Sequence, residues 1–190
     1  DRPACTLLHL GPGLGNGLAN LHNAKKAGSG IVNIVGEHAT YHIEHNAPLT
    51  SDIEGVARPM THWVHTCTDS TRVAAAGADA VLAASQPPGQ IATLILPADT
   101  AWNPGGAVEP PRAKPVRTPP EPGAIEACAR VLRQGGKKAL LLGGWAGRDT
   151  ALRWAGQIAS HCGADVLCEY SVARLERGAG RVTPKRVPYN

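Results

Sequence analysis

The sequence contains no phenylalanine, and aromatic residues make up only 4% of its 190 residues. Aliphatic side chains must therefore fill the interior, so we expect a core rich in leucine, isoleucine, valine and alanine. Long apolar runs are absent as well, because none approaches the roughly 18 residues that a membrane-spanning helix requires. These absences exclude an aromatic core and a transmembrane helix, and we expect no membrane partner.

Paired cysteines are also missing. The five cysteines, at positions 5, 67, 128, 162 and 168, form no Cys-x-x-Cys motif. An odd and unpatterned set is typical of free thiols in a reducing compartment. We therefore expect a cytoplasmic protein without disulfides.

Charge is divided unevenly along the chain. Residues 1–108 carry five basic and eight acidic side chains, whereas residues 109–190 carry 14 basic and seven acidic ones. A nucleic-acid interface typically clusters its basic residues and interleaves them with aromatics. Here the basic residues are spread through a proline-rich stretch and predicted helices. We interpret them as a solvated surface and expect no nucleic-acid partner.

The most informative segment is residues 6–17, Thr-Leu-Leu-His-Leu-Gly-Pro-Gly-Leu-Gly-Asn-Gly. Residues 6–10 have the length and the boundaries of a buried strand. Gly11, Gly13 and Gly15 would let the chain reverse and bring bare backbone close to a ligand at the strand end. His9 is therefore predicted to lie at the carboxyl edge of a sheet, where open α/β sheets bind ligands.

The spacing of this turn differs from the known phosphate-binding patterns. Asn16 stands where a dinucleotide fingerprint has its third glycine, and no Lys-Ser or Lys-Thr follows for a phosphate loop. Pro12 also removes a backbone donor. The turn favours close approach to a flat or neutral group over a phosphate. A tight strand–helix turn without a ligand is the alternative.

The apolar pattern predicts alternating strands and helices, which indicates a parallel sheet. A proline-rich stretch at residues 103–122 predicts an extended linker, and further strands and helices follow it. Gly28 and Gly30 are expected to end the first helix. The predicted strands are residues 6–10, 31–35, 90–96, 138–142 and 165–168, and the predicted helices include residues 14–27, 71–85, 125–132 and 152–159.

Several motifs together resemble the pyrimidine-binding domain of thiamine diphosphate-dependent enzymes. They are Gly11-Pro12-Gly13 with Asn16, the following helix rich in small residues, and Gly30-Ile-Val-Asn-Ile-Val-Gly36. Residues 48–61, 89–99 and 173–181 are similar to the same group, which includes acetolactate synthases and 2-oxoacid decarboxylases. The resemblance implies an α/β parallel-sheet fold. Residues 1–102 would be the C-terminal part of the pyrimidine-binding domain, and residues 123–190 the start of a Rossmann-like central domain.

The resemblance also implies the cofactors and the assembly. Thiamine diphosphate would be activated by a glutamate upstream of His9, and Mg²⁺ would be held by a downstream Gly-Asp-Gly motif followed by asparagine. Neither is present, so we expect a fragment of a longer protein that is inactive alone and holds no metal itself. Acetolactate synthases hold FAD with the central domain, which makes FAD a candidate. A homodimer or homotetramer with the active site between subunits is implied.

The resemblance assigns roles to particular residues. His9 matches the histidine before this turn in benzoylformate decarboxylase-like enzymes, which suits proton transfer; capping of the strand end is the alternative. Gly11, Pro12 and Gly13 would line the cofactor. Asn16 would orient a polar group or cap the helix. Glu37, where synthases more often have glutamine, would hydrogen-bond cofactor or substrate or be an exposed loop charge.

Two further patterns have competing interpretations. His38, His42 and His45 are spaced like zinc ligands, but the neighbouring glycine and proline oppose a stable helix, so we expect no metal there. Gly143-Gly144 after a strand suggests a nucleotide site without a full fingerprint.

Two classes of function therefore remain open. The leading hypothesis is an acetolactate synthase-like enzyme that decarboxylates a 2-oxoacid such as pyruvate and ligates the product, with a simple 2-oxoacid decarboxylase as the alternative. From another class, we retain a non-catalytic nucleotide-binding or structural family member.

Overall fold

The computed structural model describes residues 2–114, 116 and 118–189, and it divides the chain into two compact units, Asp1–Pro115 and Val116–Asn190. The boundary falls within the proline-rich stretch. No helix or strand occurs among the described residues between 103 and 121. Proline fixes φ and lacks an N–H donor, which prevents regular pairing along this stretch.

The first unit is built on a four-stranded parallel sheet in the order β1-β2-β4-β3. This confirms the predicted α/β class. The boundaries of the predicted elements lie within a few residues of those observed, whereas the short helices Ile53–Ala57 and Asp99–Trp102 and the strand Trp63–Thr66 were not predicted. The elements are β1 Ala4–His9, α1 Leu10–Ala27, β2 Ile31–Glu37, α2 Ile53–Ala57, β3 Trp63–Thr66, α3 Val73–Ala84, β4 Ile91–Pro97 and α4 Asp99–Trp102.

Two aliphatic layers cover the faces of this sheet. On one face, Leu14 and Leu21 of α1 pack with residues of α2 against Val35 and Ile95. On the other face, α3 presents alanines to the sheet. Ala76, Ala80 and Ala84 recur every four residues, so one helix face is flat enough to approach the strands closely. The predicted aliphatic, alanine-rich core is present.

A row of polar side chains crosses the middle of the sheet. The Thr6 hydroxyl donates to Asn33 Oδ1 at 2.9 Å, and Asn33 Nδ2 donates to Thr93 Oγ1 at 3.2 Å. The Thr93 hydroxyl in turn reaches Thr61 Oγ1 at 3.3 Å. Asn33 is fully buried, so its amide is satisfied only by these neighbours. The row links three strands in register, with Thr6 opposite Asn33 and Asn33 opposite Thr93.

The predicted glycine turn is wrong in one respect. Helix α1 begins at Leu10, immediately after His9, so the glycines lie inside the helix. Leu10 itself takes the positive φ of 56° at the strand–helix junction, and Gly11, Gly13 and Gly15 do not. A Cβ on Gly11 would overlap Ser51 Oγ, so this glycine is needed for contact with a neighbouring loop. The helix ends at Gly28 with φ 63°, as predicted.

The second unit contains a three-stranded parallel sheet in the order β5-β6-β7. Its small core joins Ala155 and Ala159 of a helix to Val166 of a strand. The short strand β7 was missed by the sequence analysis. The elements are α5 Pro122–Arg133, β5 Ala139–Leu142, α6 Asp149–Cys162, β6 Asp165–Cys168 and β7 Lys185–Arg186.

Among the described residues, no helix combines the length and the hydropathy that crossing a membrane would require.

Candidate functional site

A cleft of about 680 Å³ opens at the carboxyl ends of β1, β2 and β4 in the first unit. The strand register places His9 opposite Gly36 and Glu37 opposite Pro97 at this edge. Parallel strands end together, so residues far apart in sequence meet there. His9 therefore lies where the sequence predicted.

The cleft walls are mostly apolar, with a few polar groups among them. Imidazoles of His9, His38 and His42 and the carboxylate of Glu37 provide most of its polar chemistry. A mostly apolar concavity with few polar groups is typical of small-molecule sites. The main apolar lining residues are Leu7, Ile34, Leu49, Val73, Leu96 and Trp102.

His38 carries a buried nitrogen without a partner. Its Nε2 is shielded from solvent and makes no hydrogen bond. The backbone N–H of His38 donates to Glu37 Oε1 at 2.7 Å, and its ring lies 5.3 Å from that of His42. A buried polar atom left unpaired costs free energy, so such atoms in native structures call for an explanation.

A hydrogen-bonded connection holds the loop after β2 against α4. Asp99 Oδ1 accepts from the backbone N–H of Thr40 at 3.0 Å, and Oδ2 accepts from the Thr40 hydroxyl at 2.6 Å. These two bonds lower the pKa of Asp99, because they stabilise the ionised carboxylate. The backbone N–H of Ala98 also donates to Glu37 O at 3.0 Å. The loop that carries His38 is therefore anchored on both sides.

The remaining predicted cofactor residues do not line this cleft. Gly11, Pro12, Gly13 and Asn16 lie in the first two turns of α1. Pro12 and Asn16 are exposed, whereas Gly11 is buried against Ser51. The structure brings together His9 and Glu37 and leaves the other four outside. The cofactor contacts of those four stay predictions.

The histidine triplet does not form a metal centre. The rings of His38 and His42 are 5.3 Å apart, and those of His42 and His45 are 5.5 Å apart. No group of three histidine, cysteine, aspartate or glutamate side chains in the described part of the chain could hold a metal ion. The three histidines lie on a loop and a short 3₁₀ turn. Their spacing therefore does not place them on one face of a helix, as zinc ligands with this spacing would require.

In the second unit, the glycine turn after β5 is already occupied by a carboxylate. Glu169 Oε1 accepts from the backbone N–H of Gly144 at 3.0 Å. Asp149 in the first turn of α6 pairs with Arg181 at 2.6 Å and Arg153 at 3.0 Å. The hydrogen bond from Arg181 lowers the pKa of Asp149. A phosphate placed at this turn would meet the Glu169 carboxylate, which already uses one backbone donor, so the turn is poorly suited to the diphosphate of FAD or of a nucleotide.

Comparison with known proteins shows what this chain is similar to. Residues 1–68 match the model of the thiamine pyrophosphate enzyme N-terminal TPP binding domain. Over 188 residues the chain is 46% identical to the Mycobacterium tuberculosis protein named "Putative acetolactate synthase large subunit IlvX", covering 99% of this chain and 36% of that protein. The chain is therefore similar to thiamine pyrophosphate enzymes, and residues 1–68 match the N-terminal domain of that family. It spans about a third of the length of this curated relative.

Solved structures share the fold of this chain. A "putative thiamin diphosphate-dependent enzyme" from Mycobacterium smegmatis aligns with a TM-score of 0.77 at 24% identity, over 88% of this chain and 33% of that one. Benzoylformate decarboxylase from Polynucleobacter necessarius aligns with a TM-score of 0.76 at 23% identity, over 88% and 32%. The parallel-sheet architecture is therefore that of thiamine diphosphate-dependent enzymes.

Proposed function

We propose that this chain contributes one wall of the active site of a thiamine diphosphate-dependent enzyme that decarboxylates a 2-oxoacid. The observation that carries the proposal is the cleft at the carboxyl edge of the first sheet, which His9 and Glu37 line. The match of residues 1–68 to a thiamine pyrophosphate-binding domain supports the cofactor. The names of the relative and of the decarboxylase neighbour support the class of substrate.

The residues of the cleft fit this cofactor. Its apolar walls suit a flat heteroaromatic ring, and Glu37 offers a carboxylate oxygen at the edge of the sheet. When bound, thiamine diphosphate supplies a nucleophilic carbon and an electron sink. Mg²⁺ would be held by residues outside this sequence. FAD is not part of the proposal, because Glu169 closes the glycine turn of the second unit.

His9 would hold and deliver a proton. An imidazole can both accept and donate a proton, and the side chain of His9 is exposed and lines the cleft. The apolar walls would exclude most water from the reacting groups. Proton delivery favours release of an aldehyde after carbon dioxide is lost, which supports simple decarboxylation.

Carboligation is the second candidate, and the name of the 46% identical relative favours it. That reaction requires a second carbonyl substrate and a delayed proton transfer. A homodimer or homotetramer with the site between two subunits belongs to either proposal.

The test uses the full-length protein with thiamine diphosphate and Mg²⁺, supplied with pyruvate or benzoylformate. Aldehyde and carbon dioxide would support decarboxylation, and acetolactate from pyruvate would support carboligation. We expect His9→Ala to lower the rate of product formation by about 10²–10⁴-fold while cofactor binding is kept. His22→Ala is the control, because His22 is exposed on α1 and does not line the cleft. Consumption of neither acid would contradict the proposal.

A further inference from the structure

The first half of the proline-rich stretch lies against the first unit. The Ser70 hydroxyl donates to Pro104 O at 2.7 Å, and Ser70 lies just before α3. Further along, Arg112 Nε lies 2.7 Å from Asp79 Oδ1, which belongs to α3 itself. Residues 103–112, the strap, are therefore tied to the α3 side of the unit near both of their ends.

One of two consecutive glycines in the strap makes a close contact. A Cβ on Gly106 would overlap Thr71 O and come within 2.7 Å of Thr71 C, whereas a Cβ on Gly105 would have no atom within 4 Å. Thr71 belongs to the 3₁₀ turn Ser70–Arg72. Neither glycine has a positive φ. Gly106 therefore allows the strap to approach this turn closely, and it does not serve an unusual backbone conformation.

The 3₁₀ turn is the more rigid partner in this contact. Asp69 Oδ1 accepts both the N–H and the hydroxyl of Thr71, at 2.9 Å and 2.7 Å, and the turn continues directly into α3. The strap contains no helix or strand, and its residues are exposed apart from Arg112. Bulk added at Gly106 would therefore displace the strap and leave the turn in place.

The strap continues directly from α4, which forms one wall of the cleft. Ala101 and Trp102 of α4 line the cleft, as does Val73, the first residue of α3. The two hydrogen bonds from Thr40 to Asp99 hold the N-terminal end of α4. Its C-terminal end packs against the 3₁₀ turn and is followed at once by the strap. The position of Trp102 therefore depends on the same turn to which the strap is tied.

We propose that the strap is a releasable device that holds the C-terminal end of α4, and with it the Trp102 wall of the cleft, in place. Exposed hydrogen bonds and ion pairs each contribute little in water, so a single substitution can shift the strap from docked to released. Ser70 and Gly106 are then positioning residues, because neither lines the cleft. The effect on the reaction rests on the proposed function above, whereas the docking of the strap does not.

The first test measures backbone amide exchange by NMR in the 190-residue chain. The amides of Ala101 and Asn103 report on α4, because they donate to carbonyl oxygens three and four residues earlier, both at 3.0 Å. Gly106→Ala should make both amides exchange at least about tenfold faster, because an element held by few contacts opens when they are lost. Gly105→Ala is the matched control, since it adds the same methyl group in open space, and should change both rates less than about twofold.

Ser70→Ala removes the other contact without adding bulk. It should raise the exchange rates of Ala101 and Asn103 by about threefold, the effect of losing one exposed hydrogen bond. The amides of β4 should keep their rates in every variant, because the strap is tied to the 3₁₀ turn and to α3. Equal rates in the two glycine variants would overturn the inference. Faster exchange that spreads to β4, or no effect of Ser70→Ala, would overturn it as well.

The second test uses the full-length protein with thiamine diphosphate, Mg²⁺ and whichever of pyruvate or benzoylformate it consumes. Gly106→Ala should raise KM by about threefold or more and change kcat less than about twofold, because a displaced wall weakens binding of substrate and transition state alike. Gly105→Ala should change neither quantity. An unchanged KM in Gly106→Ala would overturn the link between the strap and the cleft.

The two proposals fail separately. A full-length protein that consumes neither acid, together with faster α4 exchange in Gly106→Ala alone, would refute the proposed reaction and keep the strap. Turnover of a 2-oxoacid, together with equal α4 exchange in the two glycine variants, would refute only the strap.

Discussion

The polar row across the first sheet should behave as a coupled unit in a double-mutant cycle. Thr6→Val leaves Asn33 Oδ1 buried without its donor. Leaving a buried acceptor unsatisfied costs about 1–3 kcal/mol, which is a large part of a typical stability of about 5–15 kcal/mol. Asn33→Leu instead removes both hydrogen bonds of the amide. In this variant the Thr6 hydroxyl is only half-buried and can hydrogen-bond to water, and the Thr93 hydroxyl keeps its hydrogen bond to Thr61. We therefore expect Asn33→Leu to lower the free energy of unfolding by about 1–2 kcal/mol.

The double variant tests this reasoning most directly. Replacing both partners by apolar groups of similar shape removes the unsatisfied acceptor, so Thr6→Val with Asn33→Leu should cost at least about 1 kcal/mol less than the sum of the single losses. Urea unfolding followed by residue-resolved NMR signals of β2 and β4 would measure the first unit by itself. Additivity within about 0.3–0.5 kcal/mol would refute the coupling. Thr68→Val, at an exposed loop position, should change stability by less than about 0.5 kcal/mol.

Two further predictions concern the surroundings of the cleft. Gly11→Ala should destabilise the first unit by about 1–3 kcal/mol, because the added Cβ lies 2.7 Å from Ser51 Cβ and rotation of the hydroxyl cannot relieve this overlap. In thermal unfolding, a second substitution, Ser51→Gly, should restore part of the lost stability. If the loop simply moves aside, Ser51→Gly should restore none of it. His62 has a lowered pKa, first through desolvation and then through the charge of Lys25, and its Nδ1 accepts the backbone N–H of Ile91 at 3.0 Å. Because the pKa of His62 is lower in the folded state, the neutral imidazole contributes to the stability of the fold. This contribution is complete above the unfolded-state pKa of about 6.5 and is lost as pH falls through the folded-state pKa. His62→Gln should make the free energy of unfolding less dependent on pH below about 6.5. An unchanged dependence on pH would show that His62 is not its source.

Much of the fold could be predicted from local sequence patterns. Residues 31–35 are apolar apart from Asn33 and are followed by a glycine, and they form part of a buried strand because such runs need cover on both faces. Gly28 ended the first helix because it takes a left-handed conformation without steric cost. The short strand β7 was missed because Lys185 and Arg186 are exposed and carry no apolar pattern.

The candidate site was only partly predictable. His9 and Glu37 could be placed because each ends a parallel strand, and strand ends share one edge of the sheet. The spacing of His38 with His42 and His45 resembles that of zinc ligands, but spacing alone does not show where a ring points. Its orphaned nitrogen depends on contacts with Glu37 and on the link from Thr40 to Asp99, 59 residues away.

The sequence by itself determined the α/β class, the strand that ends at His9 and the similarity to thiamine diphosphate-dependent enzymes. These depend on local order and on motifs, which the chain carries without needing to fold. Only the tertiary structure decided that Leu10 turns the chain, that Gly11 makes room for Ser51, that Glu169 fills the second glycine turn, and that Nε2 of His38 is buried without a partner. Each of these depends on atoms brought together by packing, and burial and hydrogen-bond satisfaction exist only once those neighbours are in place.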